Sequence, residues 1–373
     1  MKRILFLIRS LHFGGAERQL VLLACALHRA GMAVQVLTFY PGGALRAELA
    51  SAGVPVIDLA KRGRWDVIPF LVRLVHALRR YRPDVLYSFL PVANILAVLA
   101  RLFSGRTRVI WGVRASDMNL SGEEPIVRWV AYTEARLARF ADKIIANSQA
   151  GQTYHITKGF PADKFVVVPN GIDTARFRFS AIGRHRIRGE WGVQNGELLV
   201  GIAARMDPMK GYETFLHAAA LVASHRSDVR FACVGDGPEG YCKELVDLGE
   251  QLGIADKVIW ASGRPDMPEV YSAFDIACSS SSYGEGFSNA VGEAMSCERV
   301  CVVTDVGDSA RIVGETGRVV PAKEPSALAA ALHALLLMDD STRGAIGAAA
   351  RKRIEENASV HKLLKETLAA LEA

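Results

Sequence analysis

Short apolar runs rich in β-branched residues alternate with longer stretches of helical period along the whole chain. In the front half, residues 4–8, 33–38, 54–58, 85–89, 109–113, 143–146 and 165–168 predict strands, each bounded by Gly, Pro or Asp. Amphipathic stretches such as 17–29 and 68–80 predict helices between them. The back half repeats the scheme, with strands at 198–203, 229–234, 258–260, 276–277 and 300–303. Helices are predicted there around 213–225, 239–252, 268–274, 288–297, 308–313 and 325–338. Strands that are apolar on both faces and separated by helices imply parallel sheets covered on both sides. The fold class is therefore α/β, with two doubly wound, Rossmann-like units in series and ligands outside the carboxyl ends of the strands.

A boundary is expected after VVVPNGID (166–173), where Pro169, Asn170 and Gly171 form a turn before an irregular basic stretch ending near Trp191. That gives an N-terminal domain over 1–175 and a C-terminal domain over 176–355. Residues 356–373 contain one more helix with a single buried stripe, at Val360, Leu363, Leu364, Thr367, Leu368 and Leu371. The expected ligand site is the cleft where the two domains face each other.

At 373 residues, half of them apolar, the chain is long enough for two domains with large cores, and long disorder is not expected. Six scattered cysteines without a CxxC pair point to reduced, buried thiols and a cytoplasmic protein. The apolar run at 4–8 stops at Arg9, which suits a buried first strand and not a leader segment. No run approaches the ~20 apolar residues of a membrane-spanning helix. Charge is divided unevenly: residues 1–176 hold 24 Lys/Arg against 12 Asp/Glu, and the remainder 21 against 27. A front half at +12 suggests an anionic partner there. Basic and aromatic residues do not interleave as in a nucleic-acid module, so no nucleic acid is expected.

Three segments could carry chemistry. In GIAARMDPMKG (201–211), Arg205 and Lys210 sit in a loop at a strand's carboxyl end, where two cations suit a diphosphate or are ordinary surface charges. In SSSSYGEGFSNAVGEAMSC (279–297), a Ser/Gly-rich loop runs into a helix beginning near Ser288 or Asn289. Free amides at such a start bind phosphate or sugar hydroxyls. Glu285 at the loop mouth and Glu293 inside the helix are acceptors suited to two rings of one ligand. In LHFGGAERQL (11–20), Gly14 and Gly15 allow close backbone approach at a helix start, or mark a simple tight turn. P-loop, HExxH, GxSxG and Asp-x-Asp patterns are absent from the sequence, so neither a metal nor a cofactor is expected.

At these residues the chain resembles the retaining glycosyltransferases of family 4, which have the GT-B fold and include bacterial polysaccharide and lipopolysaccharide enzymes. The resemblance rests on FGGAE, the NS of IIANSQ, VVPNGID, R-x4-K-G at 205–211, VGDGPE at 234–239 and E-x7-E at Glu285 and Glu293, and it spans residues 4–340. It implies that Arg205 and Lys210 grip the diphosphate of a nucleotide-sugar donor. Glu285 would contact the moving sugar with the amides of Gly286, Phe287, Ser288 and Asn289. Glu293 would bind the ribose, the base would lie near 263–267 with Arg264 beside it, and Gly14 and Gly15 would line the cleft. It also implies that the last helix packs back on the N-terminal domain.

Many relatives carry a histidine after the strand equivalent to VIWGV, whereas this chain reads WGVRASDM. Arg114, Ser116 and Asp117 occupy that region, and Asp117 is an acceptor-side contact or a helix cap. The expected activity is metal-independent transfer of a hexose or N-acetylhexosamine, with UDP the commoner carrier and GDP the alternative, to a glycan or lipid-diphosphate acceptor. The segment KRGRWDVIPFLVRLVHALRRYR (61–82) is either an interfacial helix drawn to an anionic membrane surface, peripheral at the inner face of the plasma membrane, or a packing helix with a solvated basic face. A sugar-nucleotide epimerase of the same fold and a non-catalytic nucleotide-sugar-binding protein are the other two readings.

Overall fold

A computed structural model describes residues 2–63, 65–105, 107–114, 116 and 124–372. The chain divides into two compact units, Met1–Gly171 with Val360–Ala373, and Ile172–Ser359.

The first unit runs β1 (Arg3–Ile8), α1 (Gly15–Arg29), β2 (Ala33–Thr38), α2 (Arg46–Ser51), β3 (Val56–Asp58), α3 (Val67–Tyr81), β4 (Val85–Phe89), α4 (Pro91–Arg101), β5 (Arg108–Val113), α5 (Pro125–Leu137), β6 (Lys143–Ala146), α6 (Gln149–Thr157) and β7 (Phe165–Val167). Its seven strands are all parallel in the order β3-β2-β1-β4-β5-β6-β7. Alternate residues of β1 serve two cores. Ile4, Phe6 and Ile8 pack with Leu20, Leu23 and Leu27 of α1, while Leu5 and Leu7 pack with Phe70, Leu74 and Leu78 of α3 and Ala97 of α4. Burial on both faces is why these strands read as unbroken apolar runs. The strand predicted from Val54 begins only at Val56, because Pro55 accepts from the Val36 N–H but has no N–H of its own to pair.

The last helix, Val360–Glu372, joins this unit. Leu363 and Leu371 enter the α1 core, and Arg108 Nη1 donates to the Leu371 carbonyl at 2.9 Å. Gly171 is held by α1: Gln19 Nε2 donates to its carbonyl at 2.8 Å and Gln19 Oε1 accepts its N–H at 2.9 Å. This pair of hydrogen bonds ties down Gly171, where the first unit ends.

The second unit runs α7 (Ala181–Glu190), β8 (Leu198–Ala203), α8 (Tyr212–Ala223), β9 (Val229–Val234), α9 (Glu239–Gln251), β10 (Val258–Ala261), α10 (Met267–Ala273), β11 (Ile276–Ser279), α11 (Asn289–Ser296), β12 (Val300–Thr304), α12 (Ser309–Val313), β13 (Gly317–Val320), α13 (Pro325–Leu336) and α14 (Asp340–Asn357). Its six parallel strands are ordered β10-β9-β8-β11-β12-β13. The edge strand β13 and the helix α14 are additions to the sequence expectation, and α7 occupies most of the basic stretch expected to be irregular. Strand order reverses between β1 and β4 in one unit and between β8 and β11 in the other, opening a crevice at the carboxyl end of each pair.

Candidate functional site: the crevice between β8 and β11

The two loops that leave β8 and β11 are laced together. Ser280 Oγ donates to the carbonyl oxygens of Lys210 at 3.1 Å and Gly211 at 2.9 Å, and the Ser282 N–H donates to the Met209 carbonyl at 2.8 Å. From the far side, Thr304 Oγ1 at the end of β12 donates to the Ser281 carbonyl at 2.7 Å. The Asp308 N–H donates to the Gly286 carbonyl at 3.0 Å. Gly307 has φ +62°, and a Cβ there would lie 2.3 Å from the Glu285 carbonyl oxygen. This bracing brings Lys210 Nζ to 2.5 Å from Glu285 Oε1, which also accepts from Ser281 Oγ at 2.7 Å. The Glu285 side chain is 8% exposed and Lys210 19%, so the pair is largely shielded from water. A partly desolvated cation and carboxylate at the crevice between switch strands can engage a charged, hydroxyl-rich ligand.

Ser288 and Asn289 begin α11, with Phe287 and Ser288 buried beside the loop. One turn along, Glu293 Oε2 accepts from Tyr271 Oη of α10 at 3.0 Å. Burial holds the Tyr271 hydroxyl well above its ordinary pKa, so it remains a donor that orients the carboxylate. Beside β8, the VGDGPE segment after β9 closes on the same loop. The Met206 N–H donates to the Asp236 carbonyl at 2.9 Å, and a Cβ on Gly235 or Gly237 would strike the carbonyl of Ala204 or Met206. Gly263, at the mouth of β10, lies against the Asp236 carboxylate.

Two of the expected cations are engaged elsewhere. Arg205 is 66% exposed and its Nη2 donates to Asp207 Oδ2 at 2.8 Å, while Asp207 also accepts the Met209 N–H. Arg264 donates to both Glu190 and Asp266, and these hydrogen bonds raise its pKa while lowering that of Asp266. Its guanidinium braces the start of α10 against α7. Ser280, Ser281, Thr304 and Tyr271 are hydroxyl residues not singled out from the sequence; the serine run at 279–282 is a signal for the first two, and Thr304 and Tyr271 have none. Among the described residues no group of three or more His, Cys, Asp or Glu could hold a metal ion.

In the first unit, Gly14 precedes α1 with φ −170°, and a Cβ there would lie 2.1 Å from Glu17 Oε2. Glycine at this position lets Glu17 fold back over the helix start, where burial raises its carboxyl pKa. Gly15 is the first residue of α1. Arg114 follows β5 and bonds Tyr87 and Asn170. Asp117 lies outside the described residues.

Residues 13–176 match the family model described as Glycosyltransferase Family 4, and residues 197–338 match the model described as Glycosyl transferases group 1. The D-inositol 3-phosphate glycosyltransferase of Segniliparus rotundus is 31% identical over 66% of this chain and 56% of that protein, so the match spans little more than half of that relative. The protein of the same name from Arthrobacter is 28% identical over 90% of this chain and 85% of its own. Among solved structures, Anabaena HepE in complex with UDP aligns with a TM-score of 0.86 at 26% identity over 99% of both chains. Its complex with UDP-glucose aligns with the same TM-score over 100% of both. Sucrose-phosphate synthase from Thermosynechococcus elongatus shares the fold, with a TM-score of 0.83 at 18% identity over 99% of this chain and 98% of its own. The two parallel α/β units are those of the GT-B fold, and the chain belongs to glycosyltransferase family 4.

Proposed function

We propose that this protein moves a hexose or N-acetylhexosamine from a nucleotide-diphosphate sugar, with UDP as carrier, to a glycan or lipid-linked acceptor, keeping the anomeric configuration and using no metal. The observation that carries the reading is the Lys210–Glu285 pair, joined across two laced loops at the β8/β11 crevice. The UDP and UDP-glucose complexes of Anabaena HepE support the choice of carrier.

In this reading Glu285 exchanges part of its contact with Lys210 for sugar hydroxyls, and Lys210 turns to the diphosphate. Arg205, free to leave Asp207 at the surface, adds a second cation. Amides of Gly286, Phe287, Ser288 and Asn289 face the same phosphates or the sugar, Glu293 takes the ribose hydroxyls, and Gly14 and Gly15 line the acceptor side. The bond from the anomeric carbon to the β-phosphate oxygen breaks while the acceptor hydroxyl adds on the same face of the ring. Its proton passes to the departing diphosphate, and the cations stabilise the charge that develops there. Product analysis by proton NMR tests the proposal: an α-linked donor must give an α-linked product, and a β-linked product would overturn retention. Incubation with donor alone separates transfer from epimerisation, since an epimer would appear only in the second case.

The first unit also carries a surface suited to a lipid-linked acceptor. Trp65, 88% exposed, stands just before α3, Ile68 and Val72 are exposed on α3, and Trp129, 61% exposed, Ile126 and Tyr132 are exposed on α5. Arg79, Arg80 and Arg136 follow on the same two helices. Aromatic side chains beside cations match an anionic membrane surface, and the reading adopted is peripheral association at the inner face of the plasma membrane. No described helix is long and apolar enough to cross a membrane.

A further inference from the structure

Arg114 stands at the carboxyl end of β5, one strand from the crevice between β1 and β4. Neutral groups hold its guanidinium. Nη1 donates to Asn170 Oδ1 at 3.0 Å, Nη2 donates to Tyr87 Oη at 3.2 Å, and Cζ lies 4.3 Å from the centroid of the Phe89 ring. Its Nε is buried without a hydrogen-bond partner. The side chain as a whole keeps some exposure, and among the described residues it makes no ion pair.

The groups that aim it are themselves fixed. Tyr87 is fully buried, tilted against Phe89 at 4.8 Å and Phe6 at 5.4 Å. Asn170 precedes Gly171, whose N–H and carbonyl are both bonded to Gln19. Burial lowers the pKa of Arg114 and raises that of Tyr87, so the tyrosine remains a neutral hydroxyl and does not balance the charge. Arg299, a second guanidinium lowered by burial among the described residues, spends donors on the carbonyls of Cys297 and Phe274. Arg114 is different: two side-chain hydrogen bonds and an aromatic ring aim it, and no carboxylate among the described residues pairs with it. A guanidinium in that state binds a planar or tetrahedral oxyanion through paired N–H donors.

We infer that Arg114, positioned by Tyr87, Asn170 and Phe89, forms an oxyanion subsite in the first unit that takes a phosphate or carboxylate of the acceptor. Assigning the anion to the acceptor rests on the proposed function, in which the loops after β8 and β11 take the donor diphosphate. The net charge of +12 over residues 1–176 favours an acidic group on this side.

The test is a set of thermal melts of the full chain, with and without saturating UDP, at constant ionic strength. Inorganic phosphate, glucuronate and glucose are titrated into wild type, Arg114→Gln and Arg114→Lys. Phosphate or glucuronate should raise the melting temperature of wild type, and glucose should not. Arg114→Gln should weaken the effective anion by at least ~10-fold, Arg114→Lys by less, and neither should alter the UDP effect. A response to phosphate alone names a phosphorylated acceptor, and a response to glucuronate alone names an acidic sugar. Equal responses in wild type and Arg114→Gln, or no response to either anion, overturn the inference. If Arg114→Gln fails to fold, Tyr87→Phe replaces it: the charge stays, and anion affinity must fall by ~3-fold or more, an unchanged affinity being contradictory. Failure of UDP to bind would count against the donor assignment, while the anion titration without UDP would still decide on Arg114.

Discussion

Gly211 and Ser280 meet where no side chain has room: a Cβ on Gly211 would lie 2.1 Å from the Ser280 carbonyl oxygen, and Gly211 has φ +65°. This contact, with the hydroxyl of Ser280 bonded to the Lys210 and Gly211 carbonyls, joins the β8 and β11 loops into one rigid piece. The loops that carry Lys210 and Glu285 are therefore fixed before any ligand arrives, so that only the two side chains turn toward it, and most of the reorganisation cost is already met. Lys210→Ala and Glu285→Ala should each lower turnover by about 10²–10³ while far-ultraviolet circular dichroism stays unchanged. Near-normal kcat in both purified variants would contradict the assignment.

In the proposed function Tyr271 acts on the ligand through Glu293. Tyr271→Phe removes one hydrogen bond, 3.0 Å long, and leaves the ring packing in place. UDP affinity measured by calorimetry should fall by roughly 2–10-fold, corresponding to about 0.5–1.5 kcal/mol, with kcat at saturating donor unchanged. A fall in kcat without a change in affinity would place Glu293 in the chemistry and not on the ribose.

The polar chain inside the first unit gives a pH dependence. Ser88 Oγ donates to Asn94 Oδ1 at 2.7 Å, and Asn94 Nδ2 donates to Glu134 Oε1 at 2.7 Å. Burial pushes the Glu134 carboxyl up to about 7, with the Asn94 amide pulling the other way. Below the unfolded value near 4.5 both states hold the proton. Between there and about 7 only the folded state holds it, so stability falls as pH rises and levels off above 7. Glu134→Gln, which cannot ionise, should melt close to wild type at pH ~5 and above it at pH ~8, the gap being on the order of 3 kcal/mol. A gap that does not vary with pH would contradict this account.

The outer faces of α3 and α5 predict binding to phosphatidylglycerol vesicles and weak binding to phosphatidylcholine. Reversing Arg80 and Arg136 to Glu removes two cations and should weaken the anionic binding by at least about 30-fold, at ~1 kcal/mol per cation. Trp129→Ser should weaken both kinds of vesicle binding through lost apolar contact. Co-sedimentation that ignores lipid charge would remove the basis for this surface.

Much of this architecture was legible because two-sided burial writes each central strand as an apolar run. The edge strand β13 was not, since Gly317 and Val320 are buried while Arg318 and Val319 are exposed, leaving too short a pattern. The helix α14 was hidden for a different reason. It packs through Gly347, whose Cβ would lie 2.1 Å from the Glu298 carbonyl oxygen, and small residues at a close approach leave no apolar stripe. At the site, carboxylates and cations at fixed spacing stood out, but Ser280 and Tyr271 act through single hydroxyls that carry no period. Arg114 could be seen as a departure from the family pattern, yet its partners Tyr87 and Asn170 are 27 and 56 residues away. Only the folded sheet brings them together.

In the proposed function Lys210 belongs to a pocket for a nucleoside diphosphate. Melting wild type and Lys210→Ala with UDP and with UMP tests it most directly, because a ligand at 100 times its Kd adds about 2.7 kcal/mol of apparent stability. UDP should stabilise wild type well beyond UMP, and Lys210→Ala should erase most of that difference. Equal stabilisation by UDP and UMP in wild type, or an undiminished UDP advantage in Lys210→Ala, would contradict it.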